Sequence, residues 1–219
     1  MLGVTIPAEG GKEDGMKVLD ILAHHPSTAR FLSQKLAQRF VADNPPEELV
    51  SAMAAKFQKS GGDLRETMKV LFDSKVFWSE GAYKAKIKSP FEMVVSALRA
   101  TAADVSFASG VATRIGEFGQ PLYRKQEPTG YSNNSEEWVN SASLLARMNF
   151  ALALARNEMP GVRVNPDRFA GELKKIARSL LFTEASNQTK AAIQRGIEEK
   201  KGSATIAGLV LGSPEFQRR

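Results

Sequence analysis

Cysteine is missing from this chain of 219 residues, and histidine occurs only twice. Without cysteine the chain has no disulfide bonds, thiol nucleophiles or thiolate zinc sites of its own. The two histidines, His24 and His25, are neighbours ahead of Pro26, so their side chains point in different directions and form a poor metal pair. We therefore expect them to cap a helix or lie on the surface, and we expect no metal and no cofactor.

Long apolar runs are also missing. No run approaches the roughly 18 residues that a membrane-spanning helix needs. The first seven residues have neither the basic start nor the apolar length of a signal peptide. We expect a soluble chain without a membrane span.

The positive charge of the chain is spread out. The formal net charge is +6, but basic and acidic residues are mixed along the sequence. The most basic stretch, residues 163–201, has nine Lys and Arg against five Asp and Glu, with only Phe169 and Phe182 as aromatic residues. Single-strand binding needs a basic groove with aromatic platforms, so we do not expect a nucleic-acid partner.

Apolar residues recur at helical spacing, and no stretch alternates convincingly with period two. The sequence predicts an all-α fold, a multi-helix orthogonal bundle of about eight to ten helices with one long ordered loop. Three helix starts combine a capping residue with a following proline, namely Asn44, Ser89 and Asn165, and Glu47 and Glu92 strengthen the first two. A further helix is predicted after Ser27, and others are predicted over residues 14–24, 63–72, 143–156, 167–181, 184–200 and 204–211.

The length allows one large domain. We predict a single helical domain over residues 1–219. The alternative is two subdomains, 12–80 and 88–219, joined by a short charged linker at 79–88 that contains Gly81 and three lysines.

One connection, residues 116–137, is too long and too rich in Gly, Pro, Asn and Ser to be a helix. Loops longer than about 12 to 15 residues in a compact domain are usually functional or disordered. Leu122, Tyr123, Tyr131 and Trp138 in and beside this loop favour an ordered loop packed on the domain.

Arg147 stands out in the helix that follows the loop. Asn140, Leu144, Ala151 and Leu154 share its helical face, so an arginine interrupts a largely apolar stripe. A buried guanidinium needs carboxylates or carbonyls around it. Either it holds the loop through Glu92, Glu117 or loop carbonyls, which we prefer, or it binds an anionic ligand under Gln120 and Trp138; Arg30 and Arg99 are weaker candidates of the same kind.

Several short motifs occur in a fixed order along the chain. They include His25-Pro26-Ser27, Lys88-Ser89-Pro90-Phe91-Glu92, Gly119-Gln120-Pro121-Leu122, Trp138-Val139-Asn140, Leu145-Ala146-Arg147 and Ser213-Pro214-Glu215-Phe216. In these motifs the chain resembles the C-terminal half of the bacterial family called domain of unknown function 1800. Members are usually longer and often exported, so the resemblance implies a missing N-terminal half as a partner and a periplasmic or extracellular location. Gly130-Tyr131 stands where the family has Gly-Trp, which keeps an aromatic residue for packing.

Two functions remain open. The sequence has no phosphate-binding glycine loop, no Gly-x-Ser-x-Gly elbow and no His-Glu-x-x-His helix. We prefer a non-catalytic helical binding module that uses the 119–140 loop to bind a protein or a surface polymer. The alternative is half of an enzyme, for example a hydrolase of an envelope or extracellular polymer, with a cleft at this loop.

The candidate ligand-binding residues are Arg147, Gln120, Trp138, Asn140, Glu92, Arg99 and Tyr131. A concave polar pocket with perturbed carboxylates would favour the enzyme, and a filled loop would favour the binding module.

Overall fold

The computed structural model describes residues 2–7, 9–169, 173–181 and 184–219. The chain divides into two compact units, Met1–Ala85 and Lys86–Arg219. The division falls within the segment 79–88. The all-α prediction is confirmed, because helices form most of both units.

The first unit contains four helices. They are α1 (Lys12–Ala23), α2 (Pro26–Phe40), α3 (Glu47–Lys59) and α4 (Leu64–Phe72). Helix α3 packs against both α2 and α4. The apolar residues that these helices bury together are Ala37, Val41, Leu49, Val50, Met53 and Leu71. This small core follows from the helical spacing of apolar residues in the sequence.

Side chains set several helix starts in the first unit. His25 precedes α2 as its N-cap, and its Nδ1 accepts a hydrogen bond from the backbone amide of Ser27 at 3.1 Å. Asp63 caps α4 through the amides of Arg65 and Glu66. The capping role predicted for Asn44 is wrong, because α3 has Pro46 at its N-cap and no side-chain cap. Two consecutive prolines move the helix start beyond the reach of the asparagine.

The second unit contains seven further α-helices among the residues described. They are α5 (Pro90–Ala100), α6 (Ala108–Glu117), α7 (Ser141–Ala155), α8 (Leu173–Leu181), α9 (Asn187–Glu198), α10 (Ser203–Leu211) and α11 (Pro214–Gln217). Short 3-10 helices occupy Ser135–Trp138 and Pro166–Phe169. The helix predicted over 167–181 is therefore replaced at its start by a 3-10 turn, and residues 170–172 lie outside the described part.

Helix α10 lies at the centre of the second unit. It packs against α7, α8 and α9. Ile206, Ala207, Val210 and Leu211 are fully buried, as expected for a helix that is apolar on all sides. Gly208 lets α10 approach α7 closely, because a Cβ there would lie 3.0 Å from the Cα of Leu152.

A two-stranded antiparallel sheet adds to the helices of the second unit. Its strands are β1 (Asp104–Val105) and β2 (Val162–Arg163). Strands of two residues are too short to leave a periodic pattern in the sequence. None of the helices described is both long and apolar enough to cross a membrane.

The end of the chain is tied to the start of the second unit. The backbone amides of Lys86 and Arg219 each donate to the carbonyl of the other, at 3.3 and 2.9 Å. The amide of Lys88 donates to the carbonyl of Gln217 at 2.8 Å. This pairing fixes Gln217 and α11 beside the segment that leads into α5.

Candidate functional site

The loop from Gly119 to Asn140 is packed through its aromatic residues. The hydroxyl of Tyr131 donates to the carbonyl of Pro121 at 2.5 Å. The indole Nε1 of Trp138 donates to the carbonyl of Ser132 at 3.2 Å, and Trp138 is buried. The two rings lie 6.1 Å apart in a tilted arrangement. Tyr131 thus supplies both a ring contact and a hydrogen bond to the loop.

Hydrogen bonds also anchor the loop to the segment at the start of α5. The side-chain oxygen of Gln120 accepts from the amide of Phe91 at 2.8 Å, near the N-terminus of α5. The ammonium of Lys86 donates to the carbonyl of Asn133 at 2.5 Å. An early helical amide has no partner within its own helix, so Gln120 satisfies one of these amides. Its side-chain oxygen has a structural role.

Asn140 connects the loop to α7. Its Oδ1 accepts from the amide of Ser143 at 2.8 Å, and Ser143 Oγ accepts from the amide of Asn140 at 3.0 Å. Ser143 Oγ also donates a hydrogen bond to the carbonyl of Trp138 at 2.9 Å. This reciprocal cap holds the end of the loop on the first turn of α7.

Glu92 is committed to the start of α5. Ser89 accepts from the amide of Glu92, while Glu92 Oε2 accepts from the amide of Ser89 at 2.9 Å, forming a capping box. Glu92 Oε1 also lies 3.0 Å from Nε of Arg219. Arg99 lies on the exposed side of α5. These positions give Glu92 a structural task and leave Arg99 in solvent.

Among the described residues of this unit, four carboxylates have a pKa below the ordinary value, namely those of Glu127, Glu184, Glu199 and Glu215. Glu127 is an exposed loop residue. A hydrogen bond from its own backbone amide and the nearby Lys125 hold its pKa below the usual value. Partial burial raises the pKa of Glu215, but hydrogen bonds from Ser186 and Thr189 outweigh burial and lower it to about 2. A general acid at neutral pH needs the opposite displacement.

Arg147 is fully buried in α7. Its Nη1 donates to Oε1 of Gln217 at 3.4 Å. Its Nε and Nη2 contact no acceptor among the residues that the structure describes. Burial lowers the pKa of Arg147 from its ordinary value. The predicted burial of this arginine in an apolar stripe is therefore observed.

The acceptor of Arg147 differs from the partners that we expected. Glu92 faces Arg219, and Glu117 forms an ion pair with Arg114 at 2.7 Å. Gln217 takes their place from the far end of the chain. No spacing in the sequence connects these two residues, so sequence reasoning missed Gln217.

The predicted site residues thus separate into three groups. Gln120, Tyr131, Trp138 and Asn140 belong to the hydrogen-bonded loop. Glu92 belongs to the cap of α5, and Arg99 to an exposed face. Arg147 contacts Gln217 on α11.

The chain matches a known protein family over almost its whole length. The model described as "Protein of unknown function (DUF1800)" matches residues 1–218. No curated protein and no solved structure matches the chain.

Proposed function

The chain belongs to the DUF1800 family, whose description names no activity, and from its own residues we propose that it is a non-catalytic helical module that binds another protein. The binding surface is the loop Gly119–Asn140, with Tyr123 as its anchor. Because the resemblance to this family implies export, we propose the periplasm or the extracellular space as the location.

Tyr123 carries this proposal. Its side chain is fully exposed, although the loop around it is held by internal hydrogen bonds. Its backbone has a φ of 58°, a left-handed conformation that is costly for a bulky residue. Strain of this kind costs about 1 to 3 kcal/mol and clusters at binding sites, where the surrounding structure maintains it.

An exposed tyrosine on an ordered loop suits protein recognition. Tyrosine is enriched among the residues that contribute most of the binding energy in protein interfaces. Because the loop is already ordered, a partner would not have to supply the entropy cost of ordering it. The next residues, Arg124 and Lys125, add positive charge that favours an acidic surface on the partner.

The enzyme alternative is less well supported at this loop. A catalytic cleft needs polar groups that are free to meet a substrate. The side-chain oxygens of Gln120, Tyr131 and Asn140 are already engaged in hydrogen bonds within the unit. The candidate residues of the loop therefore favour a packed platform.

Photo-crosslinking tests the proposal in the producing organism. Tyr123 is replaced by benzoylphenylalanine, and Phe107, another exposed aromatic residue of the same unit, is replaced in the matched control. Irradiation is expected to give one adduct of discrete mass from position 123 that contains a second protein, and none from position 107. The proposal fails if position 123 gives no adduct, gives the same adducts as position 107, or links only to a polymer.

A further inference from the structure

A small groove lies beside the buried face of α7. It is formed by α7, α9, α10 and α11, and its volume is about 330 Å³. Leu144 and Met148 of α7, Ile193 of α9 and Leu209 of α10 give it apolar walls. Pockets for small ligands begin at about this volume and are typically apolar with a few polar groups.

Gln217 is one of the polar groups in the wall of this groove. Its Oε1 accepts the 3.4 Å hydrogen bond from Arg147, and its Nε2 donates to the carbonyl of Gly212 at 2.9 Å. Through its side-chain amide, Gln217 thus connects the wall of the groove to the guanidinium. Arg147 itself lies on α7 between the groove residues Leu144 and Met148, one helical turn from the first and adjacent to the second.

The guanidinium of Arg147 is under-satisfied in this arrangement. A distance of 3.4 Å is long for an N–H to oxygen hydrogen bond, which is usually about 2.9 to 3.0 Å. The other two nitrogens, Nε and Nη2, meet no acceptor in the described part of the chain. A buried charge of this kind is costly unless an anion neutralises it. Nε and Nη2 together present the edge that a carboxylate binds with two parallel hydrogen bonds.

We propose that this groove, here called the α7–α11 groove, binds a short aliphatic monocarboxylate. The carboxylate displaces the side-chain amide of Gln217 and pairs with Arg147. The alkyl chain lies against Leu144, Met148 and Ile193. Arg147, which pairs with no carboxylate among the described residues, selects a negative head. The apolar walls select a hydrocarbon tail, and the volume limits the length of that tail. The groove residues do not include any from the Gly119–Asn140 loop, so this inference does not rest on the proposed protein partner.

Isothermal titration calorimetry with the whole chain tests the groove. The probes are octanoate, octan-1-ol and acetate, which separate the contributions of the head and the tail. Octanoate is expected to bind with one site per chain. Octan-1-ol and acetate are each expected to bind at least about tenfold more weakly, because each lacks one of the two interactions.

Two variants and one control locate the binding. Arg147→Met removes the cation while keeping an apolar side chain of similar length, and it is expected to weaken octanoate binding at least about tenfold. Ala192→Phe fills the groove from α9 and is expected to weaken binding as strongly while leaving Arg147 intact. Leu145→Ala, an exposed position of α7 outside the groove, is expected to leave binding unchanged.

The inference is overturned if wild-type protein does not bind octanoate. It is also overturned if octanoate and octan-1-ol bind equally, or if both Arg147→Met and Ala192→Phe keep the wild-type affinity while circular dichroism shows that they are folded. The crosslink at Tyr123 is a separate readout. If octanoate does not bind in the groove, the proposed protein partner is still tested by that crosslink.

Discussion

Arg147 donates a side-chain hydrogen bond to Gln217, 70 residues further along the chain. This contact joins the middle of α7 to α11 within the second unit. It leaves the guanidinium buried with two nitrogens that meet no acceptor among the described residues. A buried cation with so few acceptors is expected to contribute little to stability.

The close approach of α7 and α10 predicts a loss of stability for Gly208→Ala. The new Cβ would lie 2.7 Å from Leu152 Cδ2 and 3.0 Å from Leu152 Cα, so backbone as well as side chain must move. We expect a loss of about 1 to 3 kcal/mol in urea unfolding, as for other overpacked cores. Gly15→Ala is the control: nothing lies near its Cβ in α1, and helix propensity should raise stability by up to about 1 kcal/mol. Equal effects of the two substitutions would contradict the close packing.

The capping box at α5 predicts a second loss. Ser89→Ala removes the hydroxyl that accepts from the amide of Glu92, and it should cost about 1 kcal/mol of unfolding free energy. Ser109→Ala, on the exposed side of α6, should change stability by less than about 0.5 kcal/mol. If both variants unfold at the wild-type urea midpoint, Ser89 does not stabilise α5.

Glu215 predicts a dependence of stability on pH. Its pKa is about 2 in the folded protein, because hydrogen bonds from Ser186 and Thr189 outweigh the effect of burial, against an ordinary 4.5. The folded state therefore stabilises the ionised form of Glu215 more than the unfolded state does. The resulting stabilisation is complete above about pH 4.5 and disappears as the pH falls to about 2.

Glu215→Gln should therefore be less stable than wild type at pH 7, by about 1 to 2 kcal/mol after allowance for solvent screening of a partly exposed group. The difference should shrink to zero as the pH approaches 2. Urea unfolding at a series of pH values measures this difference. Glu136→Gln, an exposed loop position, serves as the control. A difference that stays constant from pH 7 to pH 2 would rule out the hydrogen-bonded carboxylate as its source.

Tyr123→Gly should separate stability from binding. Glycine adopts a positive φ without the strain of a side chain, so thermal unfolding should occur at the same temperature as in wild type or higher. The variant should also lose its protein partner. The measurement is the yield of the partner identified by crosslinking when it is recovered with an affinity-tagged chain. A variant that keeps the partner at wild-type yield would remove Tyr123 from the binding surface.

Local chemistry made part of this structure predictable. Ser89, Pro90 and Glu92 fall within four residues and form the expected cap of α5. The burial of Arg147 followed from helical spacing alone. Helix α6 was missed because it contains Gly110 and Gly116 and buries only Val111 and Ile115, which leaves a weak pattern.

The remaining features depend on contacts between distant parts of the chain. The sequence predicted that Tyr123 would help to pack the loop, but Tyr131 and Trp138 do so and Tyr123 is exposed. Aromatic residues in one loop have similar propensities, and only the folded backbone decides which of them turns outward. Gln217 likewise contacts Arg147 from a segment that is far away in sequence and pairs with residues 86–88.

The most direct measurement is the free energy of unfolding of Arg147→Met without ligand, compared with wild type by urea titration. If Arg147 is a buried cation kept for an anionic ligand, methionine should stabilise the protein by about 1 to 4 kcal/mol, because it fills the same space without an uncompensated charge. If Arg147→Met is instead less stable than wild type, the arginine holds the fold together, and the account of Arg147 as a ligand-binding residue is contradicted.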